Sequence, residues 1–382
     1  MTRAAIRRLT HPLWLAGVRV RHRRGTALLI AVGVAASAVA LAVVLGASLL
    51  TEDRAMARAL RQVAPAKRTV QAAFLGVLGD RDLATLDTAA RRALAGVTSA
   101  EPVVVVQYKT LDVGGAPLQL RAIDGVARWV RLSAGRFPTR CRPELCEVVE
   151  VGGSGTVRSL VGVRIRVVGR GSLVSSLPFG RFAGTDQYQS GESGFARRTP
   201  PSLLAEGARG LGTVPALASI YRTFAWTVPL EPTDVHPWTI GGLQRELDRA
   251  TSDLRVADAG FELTAPTAEL AAAATTADRA GRRQLLVGGL TVALLLFFVV
   301  LAAGTRRRDV AAFRQRLTWL GARQWQVVLG VAAEAFLVVA AGVLLGWLLG
   351  AAVVAVLAGV VGSPPGAVVA HSTLSWPGVL AV

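Results

Sequence analysis

"LLVGGLTVALLLFFVVLAAG" (Leu285–Gly304) is followed after one residue by "RRRDVAAFRQRLTWLGARQWQ" (Arg306–Gln326), and that in turn by the long apolar run Val327–Val361. The first run has no charge over 20 residues; the last has a single charge, Glu334, in 35. A helix needs roughly 20 apolar residues to cross a bilayer, so both runs are long enough. A third, Thr26–Leu50, is 25 residues without a charge. Three such runs in a chain of 382 residues predict spans rather than helices buried in one large core. The N-terminal run, Thr26–Leu50, is also longer than the apolar core of a cleaved signal peptide, roughly 7–15 residues, and reads as a retained anchor.

Charge separates the loops. The chain is 52% hydrophobic, with mean hydropathy +0.45 and a net charge of +18. Residues 1–25 hold seven arginines and no acid, and Arg306–Arg323 holds six arginines and one aspartate. The long middle region, Thr51–Arg283, is close to balanced, with 30 basic and 23 acidic residues. Short loops rich in arginine stay on the cytoplasmic side. The pattern therefore puts the N-terminus and residues 305–326 inside, and residues 51–283 and the C-terminal end outside. No recognisable nucleic-acid motif accompanies the positive charge, so nucleic acid is not an expected partner.

The expected fold is an integral membrane chain of α-helical spans with an α+β extracytoplasmic domain. Residues 1–24 read as a basic helix on the inner membrane surface, with Ile6, Leu9, Leu13 and Val18 as its apolar stripe and lipid as its partner. Spans follow at 25–50, 284–304 and 327–361, with stalk helices at 51–63 and 267–283. Within 51–283, "DRDLATLDTAARRALAGV" predicts a helix with Leu83, Leu86, Ala90 and Leu94 on one face and Gly96 as its stop. "PVVVVQYKTLDV" and "APLQLRAI" predict a hairpin across Gly114–Gly115, and "CEVVEV", "GVRIRVVG" and "FAWTVPL" predict further strands. "WTIGGLQRELDRATSDL" reads as helix, while the Gly-, Ser- and Pro-rich stretch from about 180 to 212 reads as a long loop.

Cys141 and Cys146 flank a proline-containing turn in "RCRPELCEVV" and could close a small disulfide loop in an oxidising compartment. Two free thiols or a metal site are the alternatives, although His11, His22, His236 and His371 are scattered. No catalytic, cofactor or metal residues are assigned. A phosphate-binding loop needs Gly-Lys-Ser/Thr, and the only lysines, Lys67 and Lys109, follow Ala66 and Tyr108. "GGSGTVRS" from Gly152 lacks the lysine, and Ser154 lies outside a G-x-S-x-G elbow. Glu144, Glu147 and Glu150 are read as solvated hairpin carboxylates. The chain is not expected to be an enzyme.

In the basic segment, Val310, Phe313, Leu317 and Leu320 are spaced to share one helical face, with Arg307, Arg308, Gln315 and Thr318 elsewhere around it. Spacing alone leaves two readings open: a loop whose arginines reach anionic lipid, or a short helix that docks a cytoplasmic partner. The stretch "RRRDVAAFRQRLTWLGARQWQVVLGVAAEAFLVVAAGVLLGWLLG" resembles the signature of the FtsX/MacB-type ABC transporter permease family. Its elements are a basic exit from the second span (Arg306–Asp309), a short helix (Val310–Leu320), a Leu320-Gly321-Ala322 turn, and Glu334 ahead of Gly342, Gly346 and Gly350 in the third span. "VRLSAGRFP", "CEVVEV" and "VGVRIRVVG" are similar to outer-domain segments of that family.

The resemblance implies a coupling helix seated on a separate ABC ATPase subunit. Val310, Phe313, Leu317, Leu320 and Gly321 would form the docking face, and Arg314 and Arg316 would set its orientation. It implies a homodimer, or pairing with a homologous permease half. It also implies a fourth span, of which "LSWPGVLAV" would be the opening residues, leaving 362–382 as an outer loop and the start of an incomplete span. Glu334 is expected near the inner interface or paired within the bundle, and the three glycines either let neighbouring helices approach closely or are simply tolerated in a membrane helix. The rival readings are a membrane-anchored extracytoplasmic sensor or binding protein, and an inactive permease fragment.

Overall fold

The computed structural model describes residues 24–78, 81–113, 116–152, 159–160, 162–184, 188–189, 197–198, 201–304 and 324–373, with single positions 311, 315 and 319. The chain divides into two compact units, one made of Met1–Ala55 and Thr275–Val382 and the other of Met56–Ala274.

The helical unit is built on three long helices. They are α1 (Arg24–Gln62), which runs past Ala55 into the other unit's residues, α5 (Thr267–Gly304), which starts before Thr275, and α6 (Gln324–Val361). All three are long and apolar enough to cross a membrane. Each is about 57 Å long at ~1.5 Å per residue, so each exceeds the ~30 Å hydrocarbon layer of a bilayer. Gly362, at φ +82°, ends α6, and the short helix α7 (Pro365–Ser372) folds back beside it, burying Val368 and Thr373 completely.

The other unit is a mixed sheet with helices on one face. Its strands are β1 (Thr69–Gly76), β2 (Val103–Tyr108), β3 (Leu111–Val113), β4 (Ala116–Ile123), β5 (Val130–Gly135), β6 (Leu145–Val151), β7 (Ser159–Leu160), β8 (Val163–Leu173), β9 (Tyr188–Gln189), β10 (Arg197–Arg198), β11 (Ser202–Glu206), β12 (Arg222–Pro229) and β13 (Phe261–Thr264). The main order is β13-β1-β12-β2-β4-β11-β6-β8-β5, with β3 on β4, β7 on β8, and β9–β10 as a separate pair. Pairs β4–β11 and β6–β8 are parallel and the others antiparallel.

One sheet face is a continuous apolar core. Phe74, Val106, Leu120, Leu203, Phe224 and Trp226 project from it toward α2 (Leu83–Ala95) and α4 (Ile240–Ala257), which supply Leu83, Leu86, Leu94, Leu247 and Leu254. α2 begins where the Asp82 side chain accepts a hydrogen bond from the Ala84 amide, and it ends at Gly96, as its sequence pattern predicts. The buried indole of Trp226 donates to Asp87 on α2 at 2.7 Å. A short helix, α3 (Ala208–Gly212), adds Ala208 and Leu211 to the same core.

Two sequence expectations need correction. The 180–212 stretch is not all loop: Ser202–Glu206 is β11, buried in the middle of the sheet between β4 and β6. Five residues between Pro-Pro and Gly are too few to carry a periodic signal, and a strand buried on both faces does not alternate. The strand expected from Val103 to Val113 is broken at Lys109–Thr110, so β3 forms the tight hairpin with β4 while β2 pairs with the far half of β4.

Candidate functional site

The helical unit is the first candidate, and glycines set its packing. A Cβ placed on Gly342 would come 2.8 Å from the Ala31 carbonyl oxygen, and one on Gly350 would come 2.6 Å from the Ala42 Cβ. A Cβ on Gly346 would press on the Ala35 carbonyl and lie 2.8 Å from Ala35 Cα and Ala38 Cβ. These three glycines therefore lie where α6 meets the backbone of α1. The contacts advance in step along both helices, from Ala31–Gly342 to Gly46–Val354, so α1 and α6 run parallel. α5 runs antiparallel to α1, because Gly33 meets Val299, Val44 meets Gly288, and Ser48 Oγ donates to the Gly281 carbonyl at 3.1 Å.

Polar groups gather at two levels of this bundle. At one end Ser363 Oγ donates to Asp53 Oδ2 at 2.8 Å, and Glu52 lies across Gly281. Continuing the α1–α6 register two turns below Gly342 brings Glu334, 8% exposed, level with the first turn of α1. The rise from Arg24 to Asp53 is about 44 Å, as is that from Glu334 to Ser363. The surface between these levels is largely apolar, with Leu286, Leu290, Phe297, Leu344 and Leu348 exposed.

The docking residues expected from the sequence, Val310, Phe313, Arg314, Arg316, Leu317, Leu320 and Gly321, lie outside the described residues, as do residues 1–23 and 374–382. At the neighbouring described positions, Ala311, Gln315 and Trp319 are helical and exposed. Trp319 is followed at the start of α6 by half-exposed Trp325.

In the sheet unit Cys141 and Cys146 form a disulfide across an antiparallel bridge, with Cα atoms 4.0 Å apart, and Cys146 is fully buried. Next to it, Glu147 is not the solvated carboxylate its sequence position suggests. It is buried and accepts hydrogen bonds from both terminal nitrogens of Arg136 and from the Thr139 amide and hydroxyl. The Arg136 bonds, and after them the Thr139 amide, hold the Glu147 pKa down to about 2. Glu150 is likewise buried and pairs with Arg170 Nε at 3.1 Å. Both glutamates sit on a strand inside the sheet, with Glu147 on one face and Glu150 on the other, and their arginines come from elsewhere in the chain: Arg136 directly after β5, and Arg170 on the neighbouring strand β8. The sequence gives no local sign of that.

Among the described residues no cluster of three His, Cys, Asp or Glu could hold a metal ion. A scan against protein-family models finds no match to this chain, and a search of curated proteins finds none.

Proposed function

We propose that the chain is the membrane-spanning permease subunit of an FtsX/MacB-type ABC transporter. In this reading it is multi-pass in the cell membrane, with residues 51–283 outside and 305–326 inside. The observation that carries the membrane part is the ~44 Å rise between the two polar levels of the bundle, against about 40–45 Å for a bilayer with its headgroups. Helix direction supports the same reading: parallel α1 and α6 with antiparallel α5 is the alternation three successive spans need. The arginine-rich stretches of the sequence adjoin the start of α1, the end of α5 and the start of α6, three helix ends that positive-inside topology would put on the cytoplasmic side. The disulfide suits an oxidising compartment outside.

The permease part rests on the resemblance over residues 306–350. ATP hydrolysis comes from a separate subunit, whose closure pushes on the 310–320 helix. α5 and α6 carry that motion through the membrane, and the outer turns of α1 and α5 pass it toward the sheet domain. A two-fold ATPase is met by two copies of the chain or by a homologous half.

The test is purification of the full chain from its native membranes, with bound ATPase activity as the readout. Wild type is expected to bring an ABC ATPase with it, and the pair Phe313→Asp with Leu317→Asp is expected to lose it while staying in the membrane fraction. Full retention of the ATPase by the double variant overturns the docking role. Extraction of the wild-type chain by alkaline carbonate overturns the membrane reading itself.

A further inference from the structure

The sheet has a second face, and half of it is polar in a way a core does not require. Around Phe179, Val105, Ile123, Val149 and Leu204 that face is apolar. Toward one end of the strands the side chains change character across four neighbours, β12, β2, β4 and β11. Thr223 pairs with Gln107, and Gln107 with Arg121. One step further, the Lys109 amide bonds the Tyr221 carbonyl, and Gln119 pairs with Ser202. Lys109 falls between the Gln107–Arg121 and Leu111–Leu118 pairs, which puts it beside Gln119. Strand alternation keeps these residues on the face opposite the Tyr108 and Leu120 side chains.

The fold does not use all of this polarity. Gln119 is completely buried, yet neither its carboxamide oxygen nor its nitrogen has a hydrogen-bond partner among the described residues. Such a group costs stability that an apolar residue of the same size would not. Arg121, 4% exposed, stacks on the Phe179 ring at 4.5 Å, and burial pulls its pKa down to about 10. Over the outer part of this floor lies an open depression of about 510 Å³, lined by Gln107, Tyr108, Lys109, Tyr221 and Thr223. That volume is in the range of small-molecule sites. Its lining combines an exposed ammonium, a half-exposed phenol, a carboxamide and a hydroxyl. Among the described residues no carboxylate pairs with Lys109.

From this arrangement we infer that the depression is a binding site for a small carboxylate-bearing ligand. Lys109 is its ion-pair partner, the Tyr221 hydroxyl is the donor beside it, and Gln107 and Thr223 line the depression. A charge-assisted bond to the carboxylate supplies most of the discrimination. The site does not depend on the transport reading, since every residue in it belongs to the sheet unit. A carboxylate can come from a peptide C-terminus or from a sugar acid, and the experiment separates the two.

Binding to the purified full chain is measured by calorimetry with four probes: trialanine, its C-terminal amide, glucuronate and inorganic phosphate. Trialanine or glucuronate is expected to bind. If trialanine binds, its amide is expected to bind at least about tenfold more weakly, and binding by glucuronate alone assigns the site to sugar acids. Lys109→Ala is expected to weaken the bound probe by about the same factor and Lys109→Arg to restore most of it. Lys109 is exposed, so an unchanged unfolding temperature confirms that the variants fold. No binding by either carboxylate at millimolar concentration overturns the assignment. So does equal binding of phosphate, of the amide, or by Lys109→Ala.

Discussion

Replacing Gly346 by alanine tests the packing of α1 on α6 at its tightest point. The new methyl would lie 2.8 Å from both Ala35 Cα and Ala38 Cβ and would press on the Ala35 carbonyl. Carbon atoms in contact prefer about 3.5–4.0 Å, so the helices must separate by about 1 Å. Two of the three opposing atoms are backbone and cannot rotate aside. Overpacking of this kind costs about 1–3 kcal/mol, from which up to about 1 kcal/mol is recovered because alanine is the better helix former. Gly330 and Gly359 in the same helix have nothing within 4 Å of an added Cβ, so alanine there meets only the favourable term. The assay is thermal unfolding of the full chain in detergent. Gly346→Ala is expected to lower the midpoint by several degrees, at about 2–4 °C per kcal/mol, while Gly330→Ala and Gly359→Ala leave it unchanged or raise it. A Gly346→Ala midpoint at or above that of Gly359→Ala would refute the close α1–α6 contact.

Other consequences concern the sheet unit. Changing both cysteines to serine removes the loop-closure restraint of a five-residue bridge, worth about 2 kcal/mol in the chain-entropy model; a chemical-denaturant midpoint unaffected by the double change would contradict a stabilising bridge. Glu147, with a folded pKa of about 2 against an ordinary 4.5, contributes stability that is complete above pH 4.5 and fades as pH falls from 4.5 through about 2. Unfolding midpoints of wild type and Glu147→Gln, compared across that window, are expected to converge as acid is added; a constant gap would show that the charge is not the cause. Trp226→Phe keeps the ring in the core but removes the 2.7 Å bond to Asp87. It is expected to cost about 1–3 kcal/mol, since a charged acceptor loses its donor, and an unchanged midpoint would place Asp87 in water.

Composition and local pattern made the helices legible. Runs such as Thr26–Leu50 and Leu285–Gly304 contain their own instruction, because backbone bonds within a helix need no other segment and the absence of charge is visible residue by residue. α2 was legible for a similar reason: its apolar spacing and its stop at Gly96 are local. The glycines at 342, 346 and 350 were visible as a stripe, but their partner was not. Only the register of the folded bundle assigns them to Ala31–Ala42 of α1, since every neighbouring apolar helix offers a similar surface.

The sheet divides in the same way. Its β-branched runs announced strands, yet β11 was hidden in a Gly- and Pro-rich stretch, because a short central strand is specified by the two neighbours that complete its hydrogen bonds. Glu147 and Glu150 looked like surface acids until Arg136, just past β5, and Arg170 of β8 were brought against them. The row of Tyr221, Lys109, Gln119 and Ser202 comes from segments up to about a hundred residues apart and has no sequence signature. By itself the sequence determined the long helices, how apolar they are and where the charge lies, because those properties are local sums over neighbouring residues, whereas the short helices α3 and α7 fell in stretches read as loop. The tertiary structure alone decided which helix faces which, which acids are buried and which polar side chains share a floor, because those depend on strand order and register, set by contacts distant in the chain.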